Sequence, residues 1–323
     1  MHAREPDVLM VHDLVVRFTG GVTAVNGLSF SVAKGETLAI VGESGCGKTV
    51  TALSLLGLLP PRASSVEGSI VLEGHELVGL SQHELRHIRG RRIAMVFQDP
   101  MSALNPVQTI GVQLVEAIRA HRKFSRPEAW SRAEDLLALV RIPEPRLRLR
   151  DYPHRLSGGM RQRVVIALAL ASDPSVLVAD EPTTALDVTI QAQILRLLSD
   201  IQRELSMAIV LITHDLGVVA ETAHRVMVMY AGRKVELQSV YAIFDRPRHP
   251  YTKGLMGATP RSEHARGARR LEEITGMVPS LANLPPGCAF APRCAIAEAD
   301  CLIAVPRLRA IQQAAVACHH PLL

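Results

Sequence analysis

Residues 38–49 read LAIVGESGCGKT, and the fold follows from how that stretch is parsed. LAIV at 38–41 is a short apolar run of strand character, while TVTALSLLGLL at 49–59 keeps a helical apolar spacing until Pro60-Pro61 stop it. Between them Gly42-Glu43-Ser44-Gly45-Cys46-Gly47-Lys48-Thr49 satisfies every fixed position of GxxxxGK[ST]. Strand, glycine-rich turn and helix is the setting a phosphate-binding loop requires. Backbone N–H groups wrap the phosphates, Lys48 lies near the β and γ oxygens, and Thr49 can ligate Mg²⁺. A second half follows at 176–181, where the apolar strand VLVAD ends in Asp180 and Glu181 comes next. Asp180 can hold the magnesium shell, and Glu181 can orient or deprotonate an attacking water. Alone, an Asp-Glu pair after a strand is more often a solvated strand end; beside a complete phosphate loop it is a catalytic candidate.

The rest of the chain supplies an α/β frame. VLMVHDLVVRF, the turn TGG and VNGLSFSV alternate apolar and polar residues and predict antiparallel strands. Residues 62–92 combine a hairpin with an arginine-rich stretch, IAMVF at 93–97 returns to strand, and about 107–150 reads as a helical insertion. MRQRVVIALALA predicts a helix. VLVAD, AIVLIT at 208–213 and RVMVMY at 225–230 then predict three strands of a parallel sheet with crossover helices. RPRHPYTKGLMGATPRSEHARGARR breaks this rhythm as a linker or strap, leaving a short cysteine-bearing tail from about 271 that is too small for a core of its own.

Composition narrows the classes. The chain has 323 residues, 48% hydrophobic and 21% charged, which is the make-up of a folded protein of about two domains. Its net charge of +5 is spread thinly and names no nucleic-acid or membrane partner. The longest obvious apolar run, Val164 to Ala171, falls far short of the roughly 20 residues needed to span a bilayer. The opening MHAREPDVLM has acidic residues and no apolar segment, so neither a secretory signal nor an extracellular location is expected.

Leu156-Ser157-Gly158-Gly159-Met160 narrows the nucleotide-binding class. Alone it would be a Ser-capped helix start. In this company the sequence resembles the ATP-binding subunits of ABC transporters, with Met160 where glutamine is commonest. That resemblance implies a P-loop NTPase ABC ATPase core with an antiparallel β subdomain, a helical subdomain at about 100–165 and a cysteine-bearing C-terminal extension. Its division is 1–250 for the nucleotide-binding domain and 251–323 for strap and extension. It also implies roles: Phe18 stacking on adenine; Gly42 to Thr49 cradling the phosphates; Gln98 sensing Mg²⁺ and water; and Ser157, Gly158 and Gly159 contacting ATP held by a second subunit. Thr184-Ala185-Leu186-Asp187 resembles the dimer-facing loop, and His214 the switch histidine. Lys48, Gln98, Glu181 and His214 form the catalytic set, and Thr49, Gln98 and Asp180 the magnesium set. FQDPMSALNP at 97–106, YPHR at 152–155, HPYT at 249–252 and GMVP at 276–279 are similar to the dipeptide/oligopeptide import group. The expected function is therefore ATP hydrolysis that energises peptide import. The expected partners are two permeases, a second ATPase (identical or paralogous) and an extracytoplasmic solute-binding protein, with the chain peripheral on the cytoplasmic face of the inner membrane. Import of nickel or another small solute is the alternative. A soluble DNA-associated ABC ATPase fits less well, because only 108 residues separate Lys48 from Ser157, too few for the large insertion of that class. No nucleic-acid partner is expected.

Cys288, Cys294, Cys301 and Cys318 are spaced more loosely than a zinc ribbon, but four thiolates can hold a tetrahedral metal or an iron–sulfur cubane. The pattern GCAFAPRC followed by Cys301 and Cys318 resembles the tail of the peptide-importer ATPases. That favours a [4Fe-4S] cluster over zinc, with His319 and His320 leaving a mixed Cys/His zinc site open. Cys46 reads as a buried structural thiol, or as a thiol whose pKa the helix N-terminus lowers.

Overall fold

The computed structural model describes residues 5–184, 186–258 and 274–322. The opening Met1 to Arg4, Ala185 of the dimer-facing loop and residues 259–273 of the strap and following tail lie outside them. Strands along the described chain are β1 (Asp7–Phe18), β2 (Thr23–Ala33), β3 (Thr37–Val41), β4 (Ser64–Leu72), β5 (His75–Glu76), β6 (Ile93–Val96), β7 (Val176–Asp180), β8 (Ala208–Ile212), β9 (Arg225–Tyr230), β10 (Arg233–Ser239), β11 (Arg309–Ile311) and β12 (Ala314–Val316). Two compact units divide the chain: Met1–Leu9, Val32–Glu36 and Val71–Leu211 form the first, and Met10–Ser31, Thr37–Ile70 and Ile212–Leu323 the second.

In the first unit β8, β7 and β6 lie side by side, and β6 runs parallel to β7 in the register Ile93↔Val176 to Val96↔Ala179. Every residue of β6, β7 and β8 is buried, as expected for parallel strands covered on both faces. The expected hairpin closes with β4 antiparallel to β5 at Val71↔Glu76 and Leu72↔His75. The helical insertion forms as Ile110–His121, Arg126–Leu139 and Pro145–Arg148. Ser125 and Glu128 close a capping box at the start of the second of these helices. A Cβ at Gly111 would lie 2.2 Å from the Trp130 ring and 2.7 Å from the Leu149 carbonyl, so the first helix approaches the second at a distance only glycine permits.

In the second unit the sheet order is β11-β12-β10-β9-β3. β3 pairs parallel with β9, but β9/β10, β10/β12 and β11/β12 are antiparallel. The sheet is thus mixed rather than parallel throughout. The sequence reading missed β10, whose RKVELQS carries polar residues that turn out to be buried: Glu236 and Gln238 are 0% and 5% exposed. Glu236 is satisfied there by the N–H groups of Arg248 and His249, at 2.8 and 2.9 Å, and by Gln238 at 2.7 Å. Burial pushes its pKa up, against the opposing pull of those donors.

One expectation about the C-terminal part is corrected. The stretch read as a strap contains a helix, Pro250–Gly257, with Pro250 at its first turn and His249 as its cap. The tail, read as too small for a core of its own, shares one: Phe290 is buried in one cluster with Val41, Val228, Tyr230 and Tyr251, and Cys288 and Cys294 pack against it.

His249 caps its helix by accepting the Tyr251 N–H on Nδ1 at 3.0 Å, which requires an unprotonated Nδ1. Burial holds its pKa down at about 4. The unfolded chain therefore binds a proton that the folded chain does not between pH 6.5 and 4. Stability is full above pH 6.5 and falls as pH drops toward 4, by on the order of 3 kcal/mol. Urea unfolding across that range should show a shallower decline in His249→Asn, which keeps an acceptor but cannot titrate. Parallel curves for the two proteins would refute the assignment.

Candidate nucleotide site

The loop after β3 is built around positions where a side chain cannot fit. A Cβ on Gly42 would sit 2.3 Å from the Met229 carbonyl, and one on Gly47 would sit 2.5 Å from the Ala24 carbonyl. Both have positive φ, 156° and 101°. Gly47 gives the helix Lys48–Leu55 no side-chain cap, so first-turn N–H groups are left to the loop and to whatever it holds. Lys48 is buried. Its ammonium donates to the carbonyls of Gly42 at 2.7 Å and Glu43 at 3.0 Å, and approaches Cys46 Sγ at 3.7 Å. Held on neutral loop carbonyls, its positive charge favours an incoming anion. Ser44, Gly45 and Thr49 are exposed, and Phe18 is half-buried at the end of β1.

Cys46 is fully buried, and desolvation raises its pKa over the opposing effect of Lys48. The lowered pKa considered from its place at a helix N-terminus does not occur: removal from water outweighs the helix end and the cation.

In the first unit the parallel register of β6 and β7 carries Gln98 and Glu181 to the same end of the sheet. Gln98 Nε2 donates to Glu181 Oε2 at 2.9 Å, and Thr184 Oγ1 donates to that same oxygen at 2.9 Å. Glu181 has φ 47°, a left-handed conformation uncommon for a non-glycine residue. Asp180 is buried at the end of β7. Thus the carboxylate proposed to face water is held by two neutral donors while the adjacent one stays inside.

Ser157 caps the helix Gly158–Ala169 by accepting the Met160 N–H at 3.3 Å. Position 160 enters this cap through its backbone, which is why methionine can replace glutamine without disturbing it. A Cβ on Gly159 would lie 2.7 Å from Ile190 Cγ2, so this helix packs closely on Val188–Leu205, whose N-cap is Asp187. In the second unit His214 is exposed beyond β8, next to Asp215, which caps Leu216–Thr222.

Three residues that sequence reasoning left without a role reach the loop from the C-terminal part of the second unit. Arg293 pairs with Glu43 at 2.7 Å, Tyr251 Oη accepts the Glu43 N–H at 2.8 Å, and Tyr230 packs against both Tyr251 and Arg293. HPYT and GCAFAPRC were the signals that could have found Tyr251 and Arg293, but neither string says which distant residue it meets, and Tyr230 carries no signal beyond its strand.

Cys288, Cys294, Cys301 and Cys318 line one small pocket with His319 and His320, and none is in a disulfide. Burial, then the neighbouring thiols, push Cys318 up to about 11; Cys288 and Cys294 are raised for the same reasons. The tighter set, with donor atoms all within 4.8 Å of one another, is Asp300, Cys301 and His320.

Comparison with known proteins extends these observations. A family described as ABC transporter matches residues 25–184, and one described as oligopeptide/dipeptide transporter, C-terminal region, matches residues 235–301. The chain is 54% identical over 316 residues to the probable peptide ABC transporter ATP-binding protein y4tR of Sinorhizobium fredii, covering 96% of this chain and 94% of that protein. It is 55% identical over 291 residues to the dipeptide transport ATP-binding protein DppD of Bacillus subtilis, covering 89% and 86%. Among solved structures, cbiO1 from Clostridium perfringens, part of the ABC transporter complex cbiONQ, aligns with a TM-score of 0.65 at 29% identity, covering 75% of this chain and 92% of that one. The dimeric ATP-binding cassette MJ0796 bound to ADP and Pi aligns with a TM-score of 0.63 at 28% identity, covering 72% and 98%.

A buried, protonated Cys46 should resist alkylation. In an iodoacetamide time course on the native protein at pH 7.5, followed by peptide mapping, Cys46 should label at least roughly tenfold more slowly than a free thiol. Labelling at the free-thiol rate would contradict the geometry.

Proposed function

Because the chain belongs to the ABC transporter family of ATP-binding proteins, we propose that it hydrolyses ATP to energise import of dipeptides or oligopeptides through partner permeases. The match of residues 235–301 to the oligopeptide/dipeptide transporter C-terminal region carries this reading, since the ATPase motifs themselves say nothing about cargo. Among the described residues no helix is long and apolar enough to cross a membrane, so translocation falls to other chains. The proposed partners are two permeases, an extracytoplasmic binding protein that acts through them, and a second ATPase, with this chain peripheral at the cytoplasmic face. Val188, 82% exposed beside the Asp187 cap, offers an apolar contact for that second ATPase. Residues 1–250 would act as the nucleotide-binding part and 251–323 as its extension.

In the proposed cycle the loop from Gly42 to Thr49 receives the phosphates. Lys48 exchanges its contacts with loop carbonyls for β and γ oxygens, and Thr49 and Asp180 serve Mg²⁺. Glu181 takes or orients the proton of the attacking water, with Gln98 and Thr184 fixing its carboxylate, and His214 faces the γ-phosphate. Ser157, Gly158 and Gly159 present helix-terminal donors to ATP held by the second ATPase, and Phe18 stacks on adenine. Closing and reopening of that pair would drive the permeases.

For the cysteine pocket we propose a [4Fe-4S] cluster held by Cys288, Cys294, Cys301 and Cys318. A single tetrahedral zinc would bring four sulfurs to about 3.8 Å of one another. The convergence of the four cysteines on one pocket supports a shared metal group, and the close set Asp300, Cys301 and His320 keeps a mixed zinc site as the alternative. Bound there, the cluster would cross-link the tail.

Affinity isolation from detergent-solubilised membranes tests the assignment. Recovery with two multi-spanning permeases and a second ATPase is expected; a soluble complex with nucleic acid would overturn it, and a neighbouring binding protein that takes nickel would redirect the cargo. Glu181→Gln should keep ATP binding and lower turnover by about 10²-fold or more, and unchanged turnover would remove Glu181 from its role. Anaerobic purification should give iron, acid-labile sulfide and broad absorption at roughly 400 nm; stoichiometric zinc without iron would replace the cluster.

A further inference from the structure

Arg293 lies between two of the pocket cysteines in sequence, one residue before Cys294, yet its side chain ends on the nucleotide loop. The guanidinium grips Glu43 with both forks, Nη1 to Oε2 at 2.7 Å and Nη2 to Oε1 at 3.1 Å. Its remaining donors are used as well: Nε donates to the Thr275 carbonyl at 3.0 Å, Nη2 to the Ile274 carbonyl at 3.3 Å and Nη1 to the Tyr230 hydroxyl at 3.4 Å. The Arg293 side chain is 6% exposed and that of Glu43 25%. This is a shielded, bidentate, charge-assisted contact, unlike the exposed pairs that contribute little. The Glu43 N–H donates at the same time to Tyr251 Oη, so backbone and side chain of one loop residue are both held from the C-terminal part.

What presents Arg293 is equally constrained. Ala291–Arg293 is a single 3-10 turn bracketed by Cys288 and Cys294. The Cys288 carbonyl accepts the Ala291 N–H at 3.0 Å, the Phe290 carbonyl accepts the Arg293 N–H at 2.9 Å, and the Ala291 carbonyl accepts the Cys294 N–H at 3.2 Å. Cys288 N–H donates to the Cys301 carbonyl at 2.8 Å. Phe290 packs edge-on to Tyr230, with ring centroids 5.3 Å apart, and lies the same distance from Tyr251. The short piece of backbone from Cys288 to Cys294 therefore contributes two cysteines to the pocket, forms the turn and, through Phe290, touches the two tyrosines that flank the loop.

Resting on the ATPase reading above, we propose that Arg293 is a positioning residue for the phosphate loop, and that the ordering of the four-cysteine pocket sets nucleotide affinity through it. A loosened turn withdraws Arg293 from Glu43, and the loop must then be ordered by the nucleotide itself, which weakens binding without touching the hydrolytic groups. By linkage, nucleotide binding and pocket ordering favour each other.

The test uses the full chain and a fluorescent ATP analogue. Arg293→Ala should weaken binding roughly tenfold and raise KM for ATP by the same factor while kcat at saturating ATP is retained; Arg293→Lys should recover part of the loss. Cys294→Ser should weaken binding to a similar extent alone and add nothing to Arg293→Ala, whose own metal content stays that of the wild type. Should Arg293→Ala fail to fold, Tyr251→Phe removes only the hydroxyl that holds the Glu43 N–H and should weaken binding about threefold. Wild-type affinity in a folded Arg293→Ala, or additive losses with Cys294→Ser, would overturn the proposal. A wild-type chain that fails to bind the analogue at all would strike the ATPase reading itself.

Discussion

The Cα atoms of Gly42 and Gly47 lie so close to the carbonyls of Met229 and Ala24 that only a hydrogen fits at either. This steric constraint fixes the loop between β3 and its helix, because the backbone of β9 and β2 leaves it one path. Lys48 then folds across the loop and satisfies its ammonium on the loop's own carbonyls. The loop is thus both shaped and positively charged before any ligand arrives, which lowers the ordering cost of holding phosphate.

A different economy operates at Glu181. Its carboxylate accepts from an amide and a hydroxyl and stays within reach of solvent, while Asp180 one residue earlier is buried. β7 ends at Asp180, and the left-handed backbone of Glu181 turns the chain there, so two consecutive carboxylates lie in two environments. The parallel register of β6 and β7 ends both strands at the same level, which places the segment carrying Gln98 beside Glu181.

Much of this was legible in the residues alone. The loop, the strand-ending Asp180-Glu181, the LSGGM helix start and the helical insertion all declare themselves through local pattern, because each is governed by hydrogen bonding and sterics within a few residues. β10 escaped notice because RKVELQS looks like a solvated segment, and donors from elsewhere in the chain, the Arg248 and His249 N–H groups, join Gln238 to make a buried Glu236 tolerable. The strap was misread because Pro250 signals a break, whereas at the first turn of a helix its missing N–H costs nothing. The tail reads as too small for a core of its own, and what the residues alone do not show is that it inserts Phe290 into a core already begun by Tyr230 and Tyr251.

The sequence by itself determined the nucleotide loop, its acidic partner, the family and the presence of four C-terminal cysteines, since these are features of residue identity at short spacing. Tertiary structure alone decided that the cysteines converge on one pocket, that Cys46 is buried, and that Arg293 clasps Glu43 across 250 residues of chain. The physical reason is the same in each case. Burial and long-range pairing depend on which distant surfaces exclude water together, and no local pattern of side chains records that.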